Sequence, residues 1–326
     1  MSLPWPPTFE NTIAALEASG GRLHLAERLL SYRSSACSTP EVRALAAEME
    51  PRLAAHADAG GMDQRVFARI ADLVARRGDP GLDAEQDAAL ERYHRDLVRA
   101  GATLGEDDRA RLRAINERLS ALTAAFRDNV QDETAALAVR VETAAELDGL
   151  PAPLVEAAAV DGGYVLRLAL PSAQPVLEHL HDRGLRERLY RAAIARGRRG
   201  GPNDNRAVVC EMAALRAERA GLLGDRVLGV RVEAEQTPGS VAAVMEMLTA
   251  VGTAASTAAR AEAERHTEAL HADGHPGPLE PWDWPYYAAR ERRARHAVDE
   301  AACRSSSSST ASWTMGCSPS RATSTA

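Results

Sequence analysis

The sequence predicts an all-α protein. Alanine and leucine, both strong helix formers, are abundant, whereas aromatic residues make up only 4% of the chain. Hydrophobic residues account for 45% of the 326 residues, which is enough for a sizeable buried core. Along several segments, apolar residues recur at spacings of three and four, and this pattern places them on one face of a helix.

The clearest helix is predicted between Glu106 and Asp132. Its apolar positions form one stripe: Leu112, Ile115, Leu119, Leu122, Phe126 and Val130. The same pattern predicts a shorter helix that begins at Asp63 and, after a break at Gly81, a helix that carries Leu90, Tyr93, Leu97 and Val98.

Helices are also predicted in the second half of the chain. One follows the loop 197–204 and stops at Gly224, because glycine commonly ends a helix. A long helical stretch is predicted from Thr237 to Leu270, and a charged helix is predicted to follow Trp282 and end near Ala302.

A small β element interrupts the helices. The segments Ala136–Val141 and Tyr164–Leu170 are short, apolar and partly alternating, and they flank a Gly/Pro-rich stretch at 147–151. This arrangement predicts a two-stranded, hairpin-like element near 136–170.

The predicted domains are an N-terminal helical lobe over 1–200, a second, incomplete domain over 201–302, and a tail over 303–326. The loop 197–204 marks the boundary between the first two. In the last 22 residues, nine are serine, four are threonine and none is Leu, Ile or Val. Such a segment cannot form a core, so we expect the C-terminal tail to be disordered.

Composition argues against several classes of function. A net charge of −7 does not favour a nucleic-acid partner. The four cysteines are far apart, so neither a disulfide framework nor a cysteine zinc site is indicated. We find no signal peptide and no run that approaches 18 apolar residues, and we therefore expect a cytoplasmic protein without a membrane partner.

A helical zinc peptidase uses the motif H-E-x-x-H, in which two histidines hold the metal and the glutamate activates a bound water. Only His271 and His275 have this spacing, but Ala272 stands where glutamate is required. Gly274 and Pro276 also disfavour a helix there. We therefore assign no metal ligand.

The remaining histidines do not form a motif either. His179 and His181 would diverge on a helix, and the others are isolated in sequence: His24, His56, His94, His266 and His296. We expect these histidines to be structural or on the surface.

Charged residues offer no catalytic constellation. Arg196, Arg198 and Arg199 could form an anion site, but a solvated loop is favoured. Arg186, Glu187 and Arg188 are interpreted as charged residues of a solvated helix face, like the other acids that share helix faces with arginines. We assign no catalytic or cofactor-binding residue. Hydrolase-elbow, P-loop and dinucleotide-binding motifs are also absent from the sequence.

Six stretches nevertheless resemble the thimet-oligopeptidase family of zinc metallopeptidases, most closely its bacterial peptidyl-dipeptidase branch. They follow the family's order: Pro-Thr-Phe-Glu-Asn-Thr-Ile at 7–13, Glu-Arg-Tyr-His-Arg-Asp at 91–96, Gly-Leu-Pro at 149–151 with Leu-Ala-Leu-Pro at 168–171, Leu-Arg-Glu-Arg-Leu-Tyr-Arg-Ala at 185–192, Leu-Arg-Ala-Glu-Arg-Ala at 215–220, and Pro-Trp-Asp-Trp at 281–284 with Tyr-Tyr at 286–287.

This resemblance implies one helical lobe of a two-lobed fold around a narrow channel. It implies zinc-dependent cleavage of short unstructured peptides, with release of a C-terminal dipeptide in this branch, by a protein that is a monomer when complete. In the family, the zinc motif lies beyond the equivalent of residue 302. The resemblance therefore implies an N-terminal half that lacks the zinc ligands and is inert by itself.

Two alternatives to an inert fragment stay open. The chain could be a non-catalytic helical module that binds peptides, or one half of a split peptidase whose other half is a second chain. We also expect the isolated chain to be poorly soluble or partly molten, because the apolar faces of residues 205–302 would lack partners.

The abrupt change near residue 303 predicts a frameshift in the gene. All 39 basic residues are arginine, which suggests GC-rich codons. With such codons for residues 307–317, a shifted frame reads Glu-Leu-Asp-Arg-Val-Leu-Asp-Asp-Gly-Leu, which resembles the family's continuation.

Overall fold

The computed structural model describes residues 5–36, 39–76, 81–168, 176–224 and 240–296. These residues are mainly helical, which confirms the predicted fold class. A π-helical turn, Glu10–Ala14, leads into the first α-helix. The α-helices are α1 (Ala15–Ala18), α2 (Gly21–Ala36), α3 (Pro40–Gly61), α4 (Gln64–Ala75), α5 (Ala84–Ala100), α6 (Glu106–Ala136), α7 (Ala152–Ala158), α8 (Arg183–Ala195), α9 (Arg206–Leu222), α10 (Val241–Ala272) and α11 (Trp284–His296).

The chain divides into two compact units. One comprises Met1–Asp132 and Gly197–Thr249, and the other comprises Glu133–Arg196 and Ala250–Ala326. The domain boundary that the sequence predicts near residue 201 is a different division of the chain, and it stays a prediction.

In the first unit, local sequence signals set the ends of the helices. Asp83 and Gln86 form a capping box at the start of α5, which satisfies two backbone N–H groups that the helix leaves unpaired. Gly101 ends α5 in the left-handed conformation, with φ of 98°. Asp63 caps α4 in a similar way, because its carboxylate accepts from the backbone N–H of Arg65.

Two apolar clusters form the core of this unit. The first joins α4 and α5 to the N-terminal turn: Ile13, Ile70, Leu73, Leu90, Leu97 and Ala102. The second joins the predicted stripe of α6 to α9: Ile115, Leu119, Leu122 and Met212. The long helix and its buried face are therefore confirmed, although Phe126 at the end of the stripe is 38% exposed.

The second unit contains the small sheet, which is antiparallel in the order β1-β3-β2. Strand β1 (Val139–Val141) pairs with β3 (Gly163–Leu166), as predicted. The expectation of only two strands was wrong, because β2 (Ala159–Val160) pairs with the other edge of β3. Two residues are too few to show an alternating pattern, so β2 could not be read from the sequence.

Ten buried apolar residues of the sheet, of α8 and of the segments that connect them form one core: Val139, Val141, Leu147, Ala158, Leu166, Leu168, Val176, Leu180, Leu185 and Leu189. Gly149 has a φ of 91°, and a Cβ atom there would clash with the carbonyl oxygen of His179. Only glycine permits this close approach of two backbone segments.

Helix α10 is the longest helix that the structure describes, with 32 residues. By length and composition alone it is apolar enough to cross a membrane, with a mean hydropathy of 1.3 over its most apolar window. This finding rests on length and composition alone, and the expectation of a protein without a membrane partner stays a prediction. The predicted disordered tail, 303–326, lies outside the described residues.

Candidate functional site

The structure separates the two histidines that have zinc-ligand spacing. His271 lies in the last turn of α10, and its Nε2 atom lies 3.0 Å from the carbonyl oxygen of Gly277, at hydrogen-bonding distance. Helix α10 ends at Ala272, so His275 lies beyond it, after Gly274 in the left-handed conformation. The two imidazoles therefore do not share a helix face, which the zinc motif requires.

His179 and His181 have partners in the second unit. The Nδ1 atom of His181 lies 3.0 Å from a carboxylate oxygen of Asp148, and the Nδ1 atom of His179 lies 3.1 Å from the Arg293 guanidinium. The hydrogen bond with His181 holds the pKa of the Asp148 carboxyl below its ordinary value.

His266 differs from the other histidines because it is buried. It lies edge-on to the ring of Trp284, and its Nδ1 atom is 3.5 Å from Glu291. Burial lowers the pKa of His266, and the nearby Glu291 only partly opposes this effect. His266 is therefore a structural histidine that favours the neutral form.

Zinc does not fit the residues that the structure describes. Within the described ranges, the structure brings no three His, Cys, Asp or Glu side chains together in a way that could hold a metal ion. His271 and His275, the two candidates that the sequence offered, do not share a helix, and the His271 imidazole already contacts the carbonyl oxygen of Gly277. A catalytic step that passes through zinc therefore cannot be built from these residues.

A cluster of buried charges joins α8 to the start of α11. The Asp283 carboxylate is fully buried and accepts hydrogen bonds from Arg183 at 2.7 Å and from Arg186 at 3.1 Å. The backbone N–H of Glu280 donates to the same carboxylate at 3.1 Å. Burial alone would raise the pKa of Asp283, but these hydrogen bonds outweigh it and hold the pKa below its ordinary value.

Arg186 was wrongly interpreted as a residue of a solvated face. Its side chain is only 1% exposed, and its Nη1 atom donates to the carbonyl oxygens of Leu180 and His181. The guanidinium also lies 4.4 Å from the centre of the Tyr286 ring, a cation–π contact. No nucleophilic side chain lies beside an unpaired base in this cluster. We therefore interpret the cluster as a structural link between α8 and the start of α11.

Aromatic and acidic residues extend this link along α11. The Tyr287 hydroxyl donates to Asp273 at 3.1 Å, and the Arg290 guanidinium donates to the same carboxylate at 2.6 Å. Burial and the hydrogen bond to Asp273 raise the pKa of Tyr287 to about 12. Tyr287 therefore stays protonated at neutral pH and acts as a hydrogen-bond donor.

The alternative of an anion site at the arginine loop is weakened by the contacts of Arg196. Its guanidinium donates to the carbonyl oxygens of Leu168 and Ala193 and to the hydroxyl of Thr134. These protein acceptors occupy donors of Arg196 that an anion would need.

An open apolar pocket of about 790 Å³ lies beside α10 in the second unit. Its walls come from the α10 residues and the Pro-rich connection to α11: Ala263, Thr267, Pro278, Leu279, Glu280, Pro281, Trp284 and Pro285. The indole of Trp284 and three prolines give it the character of a site for an apolar side chain. Glu280 is its only charged residue.

These features define a mainly helical protein with a small sheet and, among the described residues, no metal-binding group. Residues 176–316 match Peptidase family M3. The chain is 28% identical over 305 residues to the dipeptidyl carboxypeptidase of Escherichia coli, an alignment that covers 91% of this chain and 45% of the relative. It is 30% identical to the Salmonella typhimurium protein of that name, over 91% of this chain and 45% of the relative.

Oligopeptidase A of Haemophilus influenzae is 28% identical over 312 residues, with 90% of this chain and 44% of the relative covered. The chain is therefore homologous to the family M3 peptidases, and the resemblance seen in the six stretches is confirmed. It spans less than half the length of these relatives.

Proposed function

We propose that this chain is a part of a zinc-dependent family M3 oligopeptidase or peptidyl-dipeptidase that does not hydrolyse peptides by itself. One observation carries the proposal: about nine-tenths of the chain aligns with dipeptidyl carboxypeptidase, yet its 326 residues contain no H-E-x-x-H motif.

The chemistry explains why this combination predicts inactivity. Peptide hydrolysis by a zinc peptidase needs a metal that lowers the pKa of a bound water and a carboxylate that takes up its proton. Two histidines and a glutamate on one helix supply both functions. At the sequence's nearest approach to this motif, His271 and His275, the glutamate is missing and α10 ends between the histidines.

A peptide-cleavage assay tests the proposal. The purified chain and the E. coli dipeptidyl carboxypeptidase are incubated with the same short peptide and added zinc, and products are identified by mass spectrometry. We expect dipeptide release by the E. coli enzyme only. Release by this chain that stops when a chelator is added would contradict the proposal.

The pocket beside α10 favours peptide binding without hydrolysis as a second candidate function. Its apolar walls and the indole of Trp284 suit a peptide side chain. Short apolar peptides should then quench the fluorescence of Trp284, and Trp284→Phe should abolish the change, whereas Trp5→Phe at an exposed position should not. If the peptides still quench the fluorescence of the Trp284→Phe variant as they do that of the wild type, this pocket is excluded.

A split peptidase is the third candidate, and the observation that favours it is that the relatives are more than twice as long as the alignment. In that case a separate chain would supply the zinc-binding motif, and adding that chain would restore peptide cleavage in the same assay.

We further propose that the chain works in the cytoplasm, that its partners are short unstructured peptides when a metal-binding part is present, and that it binds neither nucleic acid nor membranes. The net charge of −7 supports the absence of a nucleic-acid partner. Cell fractionation and vesicle flotation test the location, and recovery of the chain with the membrane fraction would contradict it.

A further inference from the structure

The pocket beside α10 combines an aromatic ring with a single carboxylate. All of its walls belong to the second unit. Trp284 and Glu280 are both half-buried in these walls, and prolines and Leu279 supply much of the remaining apolar surface. His266 packs edge-on against Trp284, with 5.2 Å between the ring centres, and this contact holds the indole in place. The pocket therefore presents a fixed aromatic surface and a negative charge to the same ligand.

The Glu280 carboxylate has no positive partner of its own. Among the residues that the structure describes, no side chain hydrogen-bonds to this carboxylate or lies at ion-pair distance from it. Its charge acts on Arg183, but Arg183 donates to both carboxylate oxygens of Asp283. These hydrogen bonds are the main cause of the raised pKa of Arg183, and the charge of Glu280 contributes less. The negative charge of Glu280 is therefore available to a ligand.

The second unit already shows how an indole and a carboxylate together hold an arginine. The Arg191 guanidinium lies 5.0 Å from the centre of the Trp282 ring, and it donates to the Glu187 carboxylate at 2.7 Å. The pocket offers the same two groups, Trp284 and Glu280, and none of the described residues that line it is basic. A basic side chain would complete the arrangement, because its methylene stem packs on apolar walls while its charge meets the ring and the carboxylate.

We propose that this pocket binds an arginine side chain of a short peptide. This selectivity rests on the proposed peptide-binding role of the pocket and adds the class of side chain that the pocket takes. An uncharged ligand would remove water from the Glu280 charge without replacing it, which is unfavourable, and an acidic ligand would be repelled. Arginine suits the site better than lysine, because its planar guanidinium stacks on an aromatic ring and donates two parallel hydrogen bonds to a carboxylate.

Calorimetric titration of the full chain tests this selectivity. The probes are two capped tripeptides, acetyl-Ala-Arg-Ala-amide and the same peptide with norleucine in place of arginine, which keeps an apolar stem but has no charge. We expect the arginine peptide to bind about tenfold more tightly, because a cation–π contact and a partly exposed ion pair each contribute a factor of a few.

The variant Glu280→Gln separates the charge of the pocket from its shape. It removes the negative charge with almost no change in size, so the arginine peptide should lose about threefold to fivefold in affinity. The affinity of the norleucine peptide should not change, and this result also shows that the pocket is intact. Glu268→Gln, the matched control, removes the same charge from an exposed position of α10 outside the pocket walls and should leave both affinities unchanged.

The outcomes separate this selectivity from peptide binding itself. Equal affinities of the wild-type chain for the two peptides, or an affinity for the arginine peptide that Glu280→Gln does not lower, overturn the selectivity while peptide binding stands. Tighter binding of the norleucine peptide also overturns it and indicates an apolar occupant. If neither peptide binds, both the selectivity and the peptide-binding role of the pocket fail.

Discussion

The substitution Asp283→Asn tests the structural role of the buried charge cluster. Asparagine has nearly the size and shape of aspartate, so packing is preserved while the negative charge is lost. Asp283 is fully buried, and the Arg186 side chain that it neutralises is only 1% exposed. The substitution therefore leaves a buried positive charge without its counter-ion.

The magnitude follows from this burial. Removal of one partner from a buried ion pair destabilises a protein by about 3–5 kcal/mol, because the remaining charge is not compensated. Arg183 is 27% exposed and can turn to water, so most of the loss comes from Arg186. For comparison, the exposed pair of Glu187 and Arg191 on α8 is worth about 0–1 kcal/mol.

Urea denaturation followed by circular dichroism measures the difference. We expect Asp283→Asn to lower the free energy of unfolding by about 3–5 kcal/mol. Glu187→Gln, the matched control at an exposed ion pair of α8, should lower it by less than about 1 kcal/mol. Equal effects of the two substitutions would refute the reasoning, because they would show that Arg186 does not depend on the Asp283 charge.

Three further substitutions test local features of the second unit. Burial lowers the pKa of His266 from 6.5, so the unfolded chain binds the proton more readily, and stability should fall as the pH drops through about 6.5. This loss of stability should be smaller in His266→Gln, because glutamine does not titrate. If urea denaturation gave the wild type and His266→Gln the same dependence of stability on pH, this explanation would be contradicted. Gly149→Ala should cost about 2 kcal/mol or more in thermal or urea unfolding, because its Cβ would meet the carbonyl oxygen of His179. Gly162→Ala has a similar φ of 78° but open space and should cost about 1 kcal/mol, so an equal cost at both positions would count against the steric argument.

The sequence predicts the helical part of the fold well because its signals are local. Helix α6 begins at Glu106, as the apolar spacing indicated, and Leu112 and Ile115 of the predicted stripe are almost completely buried. Strand β1 was also recognisable, since Val139 and Val141 alternate with the exposed Arg140. In contrast, β2 exists only because β3 offers it a hydrogen-bonding edge, and this is a tertiary property.

The role of Arg186 was missed for a similar reason. Its sequence neighbours Glu187 and Arg188 are typical of a solvated face, while its counter-ion, Asp283, lies 97 residues away in the chain. One signal was nevertheless present: Arg186 precedes the buried Leu189 by three residues and therefore shares its face of α8. A charge at such a position predicts a buried partner from a distant segment.

Zinc content tests the central claim most directly. The full chain is saturated with zinc, dialysed against metal-free buffer and analysed by mass spectrometry for metal, with the E. coli dipeptidyl carboxypeptidase treated in the same way. We predict far less than one zinc ion per chain, because His271 and His275 lack both the shared helix and the glutamate of the peptidase motif. One retained zinc ion per chain, lost only when a chelator is added, would contradict the account.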